Sequence, residues 1–389
     1  MIVLAVIFGA CSGSEQPQEV VFLDSGAELA ALEPRSGTVP FRIGGTRAAT
    51  PDGRKVFRAE DGPAGTVLTI VDAQTGSSGG WVRQLEAGLE PRVASDDPSV
   101  VMMPMYAPEG RVRTSMVIAR EREENVQRLD LAGNYEPEAF STDGRTLFVV
   151  EYRPPGNPES YSVRQLDLAS GVVTPVASRD KELQENMRGT ARSQAMAPDG
   201  KRLYTLYNLE MQRPDGTIHR QAFVHVLDLE EGWAHCVDLP PEFVTQSETA
   251  SALAVSPDGR RVVVVNRQAG ALAEIDTEAL SLRRTVPIEL APEEAISVSA
   301  SRRGLFIGTG RRVVALDNEL RRVREWQFER TVIGLQPSGD RRYLYVSAGE
   351  DLATVDLDTG RTRTTPTPLG QITSVGRLRW QRTNLECAC

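Results

Sequence analysis

The sequence predicts an all-β fold, a β-propeller of four-stranded antiparallel blades, and three observations predict it. A tight-turn signal centred on Asp-Gly recurs along the chain. An apolar, β-branched strand follows most copies of it. A further strand, often ending in an acid, recurs every 39 to 61 residues. Most of those spacings fall in or beside the ~40–50-residue period of a blade.

The clearest copy of the unit runs from Leu253 to Thr277. The apolar run that ends at Ser256 is stopped by Ser256-Pro257-Asp258-Gly259. Pro257 presets its own φ, Asp258 hydrogen-bonds within the turn, and Gly259 accepts the left-handed conformation. Val262 to Val265 is an unbroken β-branched run, the pattern of a strand buried on both faces. Leu272 to Ile275 alternates more and ends at Asp276. Strands this short cannot bury themselves alone, and a fixed repeat supplies their neighbours.

The turn reappears as Thr50-Pro51-Asp52-Gly53, Ser141-Thr142-Asp143-Gly144 and Ala197-Pro198-Asp199-Gly200. Weaker forms are Ser95-Asp96-Asp97-Pro98, Ser301-Arg302-Arg303-Gly304 and Gln336-Pro337-Ser338-Gly339. Third strands end at Asp72, Asp167, Asp228, Asp276, Asp317 and Asp356, with Glu33 in the corresponding place near the start. Thr114 to Arg120 fills the one gap in the series, and Asn125 to Leu131 reads as the fourth strand beside it. Eight third strands imply eight blades. Seven are complete between about Gly44 and Pro368. The eighth is split, with Val20 to Ile43 supplying three strands and Ile372 to Trp380 the strand that closes the ring. Closure removes open sheet edges. Seven blades is the alternative, with one terminal segment only capping the ring. One propeller domain over residues 20–385 absorbs most of the 389-residue chain, leaving a tail at 386–389.

The chain is 40% hydrophobic and 25% charged, an ordinary globular composition, and its net charge is −9. A nucleic-acid partner held by bulk positive charge is therefore not expected. Ile2 to Ala10 is apolar and runs into Gly9-Ala10-Cys11, followed by the polar stretch Ser12 to Glu19. This resembles a bacterial lipoprotein signal, with residues 1–10 removed, lipid added to Cys11 and residues 11–19 left as a tether. Phe8 stands where such signals usually have Leu, and no Lys or Arg precedes the apolar run. A start upstream of Met1 would restore the missing charge. The resemblance implies a protein outside the cytoplasm, anchored to the membrane through Cys11. Of the remaining cysteines, Cys236 lies in an apolar run and reads as a buried small hydrophobe. Cys387 and Cys389 close the chain, and an odd remainder of three is no closed disulfide framework.

The unit SPDGRRVVVVN with the following LAEIDT resembles the YVTN-type and TolB-like (WD40-like) propeller repeats of bacterial envelope proteins. The resemblance covers roughly residues 20–385. It implies the fold and says little about function, because unrelated binders and enzymes share it. Some relatives resemble lactonases, but no matching set of acidic and Asn ligands is found here.

Three long connections should emerge on one face of the ring: Arg153 to Ser160, Ser178 to Ser193 and Asn208 to Gln221. Long loops on a rigid scaffold are candidate binding sites. Arg188, Arg192, His219 and Arg220 make this region locally basic and are the candidate binding residues, since Arg forks onto carboxylates and phosphates. His225 should lie opposite Cys236 if the strands turn near Glu230-Glu231. A metal site needs three or four converging ligands, and regular strands send His225 and His235 to opposite faces, so no metal is expected. The repeated acids read as turn caps, since a catalytic acid is usually singular. No Ser-His-Asp arrangement, phosphate loop or HExxH is present, so no catalytic residue and no cofactor are assigned. The expected function is a lipid-anchored, monomeric binding or scaffold module for a protein, peptide or glycan. The alternative is a lactonase-like hydrolase acting at the central channel.

Overall fold

A computed structural model describes residues 19–105, 110–179, 188–212, 217–245, 247, 249–290, 295–367, 372 and 374–376. Cys11, Cys387 and Cys389 lie outside them. The described chain is a closed β-propeller of eight blades, the expected all-β class. Blade 1 consists of strands β1 to β4, Thr46–Ala49, Lys55–Gly62, Gly65–Asp72 and Ser78–Leu85. Blades 2 and 3 begin with the inner strands Leu89–Ala94 and Asn134–Phe140. Blades 4 to 7 begin with Thr190–Met196, Ser251–Val255, Ile296–Ser301 and Val332–Pro337. In blade 8 the inner strand Ser374–Gly376 pairs antiparallel with Val21–Asp24, which leads on to Glu28–Leu32 and Phe41–Gly44. The ring is thus closed by its two ends, as the split eighth repeat predicts. The closing strand is described over three residues inside the expected Ile372–Trp380.

The core lies between blades, and each junction has its own apolar cluster. Val262 and Val264 face blade 4, packing with Tyr204, Leu206 and Phe243. Val263 and Val265 face blade 6, packing with Leu305 and Ile307. Two-residue alternation therefore accounts for the unbroken valine run, because both faces of the strand are interior.

The recurrent turn is a hydrogen-bonded module. The Ser256 hydroxyl donates to Asp258 Oδ1 at 2.5 Å, the Arg260 N–H donates to the same oxygen at 3.1 Å, and the Arg261 N–H donates to Ser256 Oγ at 3.0 Å. Gly259 closes it at φ 73°. The same pattern forms at Ser141/Asp143 and Thr50/Asp52. In blade 7 it forms two residues later than the sequence reading placed it. Ser338 and Asp340 fill the two bonding positions, so the turn is Ser338-Gly339-Asp340-Arg341 rather than Gln336-Pro337-Ser338-Gly339. Pro337 is the last residue of the inner strand there. Arg341 takes the left-handed position at φ 63°.

Blade 4 departs from the others. Its second and third strands, Arg202–Gln212 and Ile218–Asp228, pair over eleven rungs from Arg202↔Asp228 to Gln212↔Ile218. The corresponding hairpin of blade 5 has six, from Arg261↔Asp276 to Asn266↔Ala271. The sheet also gains a fifth strand, Ala177–Ser178, which runs parallel to Trp233–Leu239 on the outer edge. Arg179 follows it and stacks over Trp233, 5.0 Å from the ring centre.

Candidate functional site

Antiparallel strands place the loops joining first to second and third to fourth strands on one face of the ring, here the turn face. Those joining second to third strands, and one blade to the next, lie on the other, the loop face. The five extra rungs of blade 4 over blade 5 add about 17 Å of paired strand on the loop face, at ~3.3 Å per residue. Blade 3 has eight rungs, so the blade 4 hairpin outreaches both neighbours and forms an arm.

An aromatic row braces the base of this arm against blade 3. Tyr161 and Tyr207 have ring centres 5.3 Å apart, Tyr207 and Phe223 are stacked at 5.3 Å, and Tyr152 adjoins Tyr161 at 6.2 Å. Such pairs contribute about 0.5–1.5 kcal/mol each beyond burial. The Tyr161 hydroxyl also donates to the Arg188 carbonyl at 3.4 Å. The neighbouring loop face is held by a charged network. Glu136 accepts from Arg111 at 2.5 Å and from Arg92 at 3.2 Å, while Asn134 joins Arg111 Nε to the Pro155 carbonyl of the blade 3 loop.

All four candidate binding residues lie at the loop end of blade 4. Arg188 is exposed and leads into the inner strand. Arg192 is half-buried at a β-bulge, between the pairs Ala191↔Tyr207 and Ser193↔Leu206. His219 and Arg220 sit on the arm, opposite Met211 and Glu210. The inner-strand ladder ends at Thr190↔Asn208, two rungs before Glu210↔Arg220. Arg188 therefore approaches the arm from the side opposite Arg220. Successive residues of a paired strand project to opposite faces, so His219 and Arg220 present different faces of the arm.

Two unsatisfied polar groups, which sequence reasoning missed, lie below the arm. Asn208 is 4% exposed, and neither end of its carboxamide meets a partner among the described residues. It shares a face with Leu206 and so turns toward blade 5. Ser251, also 4% exposed, shares a face with Leu253 and turns toward blade 4, its hydroxyl likewise unmatched. Buried polar groups nearly always have a partner. An Asn and a Ser in strands carry no sequence signal of this kind, because the unmet state arises only from packing across two blades.

His225 pairs with Cys236 in register, as expected, and His235 pairs with Val226. Burial pushes His225 down to about 4, and the charge of nearby His235 adds to the shift. It is neutral at pH 7, set edge-on to Tyr207 at 6.3 Å. Among the described residues, no three His, Cys, Asp or Glu side chains are arranged to hold a metal ion. The repeated strand-end acids cap turns. Asp276 Oδ1 accepts the N–H groups of Glu278 and Ala279 at 2.9 and 2.8 Å, which hold the carboxyl below its ordinary range. Asp356 does the same with Asp358 and Thr359.

No family model and no curated protein sequence matches the chain. Among solved structures it is similar to dihydro-heme d1 dehydrogenase NirN in complex with DHE, with TM-score 0.57 and 14% identity, over 93% of this chain and 76% of that one. It is also similar to a putative 6-phosphogluconolactonase from Bacteroides fragilis, with TM-score 0.49 and 13% identity, over 93% and 98% of the two chains. BamB from Moraxella catarrhalis gives TM-score 0.45 and 12% identity, over 83% and 88%. At such identities the likeness reaches the fold and not the activity. The chain is an eight-bladed β-propeller, and among its described residues the longest second-to-third-strand hairpin is the blade 4 arm.

Proposed function

We propose that this chain is a binding module of the bacterial cell envelope, of the YVTN-type or TolB-like kind, which takes a protein partner on its loop face. The observation that carries this reading is the arm. A ring built from near-equal blades has no structural need for eleven rungs in one hairpin, and this one is braced at its base by four aromatic rings. Rigid scaffolds that present one extended element are suited to partner capture. Arg188, Arg192 and Arg220 supply forked donors around the arm for acidic groups of the partner. His219 presents the other face of the arm. Lipid on Cys11, joined through the polar tether, would hold the module at the membrane surface.

The test trims the arm and leaves the ring. Leu209 and Gln221 are paired, so an Asn-Gly turn can join them directly. Full-length protein and the trimmed variant are made in a lipidating host and captured from detergent-solubilised membranes. A partner that is retained by the parent, lost from the trimmed variant, and weakened by the Arg188→Ala, Arg220→Ala double change supports the proposal. Equal capture by a trimmed variant with an unchanged melting temperature refutes it.

A further inference from the structure

The turn face carries a second, unrelated feature at the mouth of the central channel. A cavity of about 570 Å³ lies there, lined by residues of blades 1, 2, 4, 5, 6 and 7. We propose that it binds a small zwitterion, a short peptide with free termini. Arg302 and Arg341 take its carboxylate, and Asp96 and Asp199 take its ammonium group.

The arginines are placed by their turns. At the glycine position of the turn module, blades 1, 3, 4 and 5 have Gly53, Gly144, Gly200 and Gly259, with φ between 70° and 74°. Blade 7 has Arg341 there at φ 63°, in a conformation that disfavours any side chain. Strained positions of this kind gather at functional sites. Arg302 occupies the two-residue turn of blade 6 between Ser301 and Gly304. The arginines next to each are paired, Arg303 with Asp358 at 2.6 Å and Arg342 with Asp356 at 3.5 Å. Among the described residues, Arg302 and Arg341 pair with no carboxylate, and both line the cavity.

The acids stand on blades 2 and 4. In a ring of eight, blade 6 faces blade 2, so Arg302 looks across the axis toward Asp96, with Asp199 on the same cavity lining from blade 4. Each acid uses one oxygen on backbone. Asp96 Oδ1 accepts the Asp52 N–H at 2.7 Å, and Asp199 Oδ1 accepts the Lys201 N–H at 3.0 Å. Asp96 Oδ2 lies 3.7 Å from where a Cβ would stand on Gly200, so the two carboxylates share one wall. Desolvation holds the Asp96 carboxyl above its ordinary range and the charge of Asp52 adds to this, only partly offset by the Asp52 N–H and by the charge of Arg54, which also lines the cavity. Met196, Val255 and Leu335 line the space between the charged walls, matching the apolar midsection of a peptide. The volume is that of an ordinary small-ligand site.

The probe is triglycine, with N-acetyl-triglycine and triglycine amide as partners that each lack one charged end. Binding is followed by calorimetry and by thermal melting at low salt. Triglycine should bind in the millimolar range or tighter and raise the melting temperature, and loss of either charged end should weaken it about tenfold or more. Arg341→Gly should melt higher than the parent without ligand, because the strain is gone, and yet show no ligand-induced rise. Asp96→Asn should lose preference for the free ammonium end. The proposal is overturned if triglycine gives neither heat nor a melting shift, if N-acetyl-triglycine binds as tightly as triglycine, or if Arg341→Gly binds as the parent does.

Discussion

Lowering the pH from 7 to 5 should destabilise this propeller through one residue, His225. Its side chain is interior, 5% exposed, with Thr205 and Cys236 as its cross-strand neighbours and the Tyr207 ring against it. Its folded pKa is about 4 against 6.5 for the unfolded chain. Between those values the unfolded chain binds a proton that the folded protein refuses. Stability is therefore intact above about pH 6.5 and is lost as the pH falls toward the folded pKa. Linkage over the two pKa values gives a loss of about 2 kcal/mol between pH 7 and pH 5. Scaling the usual unfolding entropy to this chain length converts that into a melting shift of about 2 °C.

Carboxylates also respond to acid, so the measurement is a double difference. Parent and His225→Gln are unfolded with urea at pH 7 and at pH 5, with melting curves alongside. His225→Gln should be less stable at pH 7, since it places an amide in an apolar site. It should nonetheless lose about 2 kcal/mol less than the parent on going to pH 5. Equal losses in the two proteins would show that His225 does not carry the acid sensitivity. The assignment to burial would then be wrong.

Other substitutions probe the frame. Gly259→Val should destabilise by roughly 1–3 kcal/mol in chemical denaturation, because φ is 73° and the backbone rather than crowding sets the penalty. The nearest atom to its added Cβ is Pro198 Cδ at 3.7 Å. Glu274 is fully buried and receives Arg284 at 2.5 Å and Arg283 at 3.3 Å, while both arginines reach solvent, so Glu274→Ala should lower stability by about 1–3 kcal/mol in the same assay, through lost charge-assisted hydrogen bonds rather than a stranded buried charge. Mass spectrometry of protein from a lipidating host should find a mature N-terminus at a lipidated Cys11.

The repeat was legible because one physical device recurs. Ser256 and Asp258 state their turn in four letters, and the valines after it state a strand with two interior faces. The Ser178–Ser193 and Asn208–Gln221 insertions marked blade 4 as the irregular one. Their content was less legible. The span read as a long loop from Asn208 to Gln221 holds further strand on both sides, because Leu209 to Gln212 continue the pairing with few of the apolar cues that mark the earlier strands. Ala177–Ser178 is a parallel edge strand of two residues, too short for any periodicity. Arg341 was hidden by a phase error, since Pro337 mimics the turn proline of the other copies while ending a strand. The channel mouth gathers Asp96 and Arg341 from opposite ends of the sequence, and no local pattern announces such a meeting.

Positive φ at residues other than glycine shows where the repeat yields to something else. Three described residues adopt it, Leu280 at 51°, Leu320 at 63° and Arg341 at 63°. Leu280 stands four residues after Asp276, where other blades place Gly76, Gly171, Gly232 and Gly360 after their own acids. Its side chain is 6% exposed and packs in the junction of blades 4 and 5, while Leu320, also 6% exposed, packs in the junction of blades 5 and 6. Burying a leucine contributes about 1.5–3 kcal/mol, which offsets a left-handed penalty of about 1–2 kcal/mol. Arg341 is exposed and buries no such surface. Replacing it with Gly should therefore gain the strain energy less about 0.5–1 kcal/mol of glycine entropy, a net rise of up to about 1.5 kcal/mol by urea denaturation. A loss of stability instead would mean that Arg341 makes contacts in the ring that outweigh its backbone strain, and the case for keeping it as a ligand group would fall.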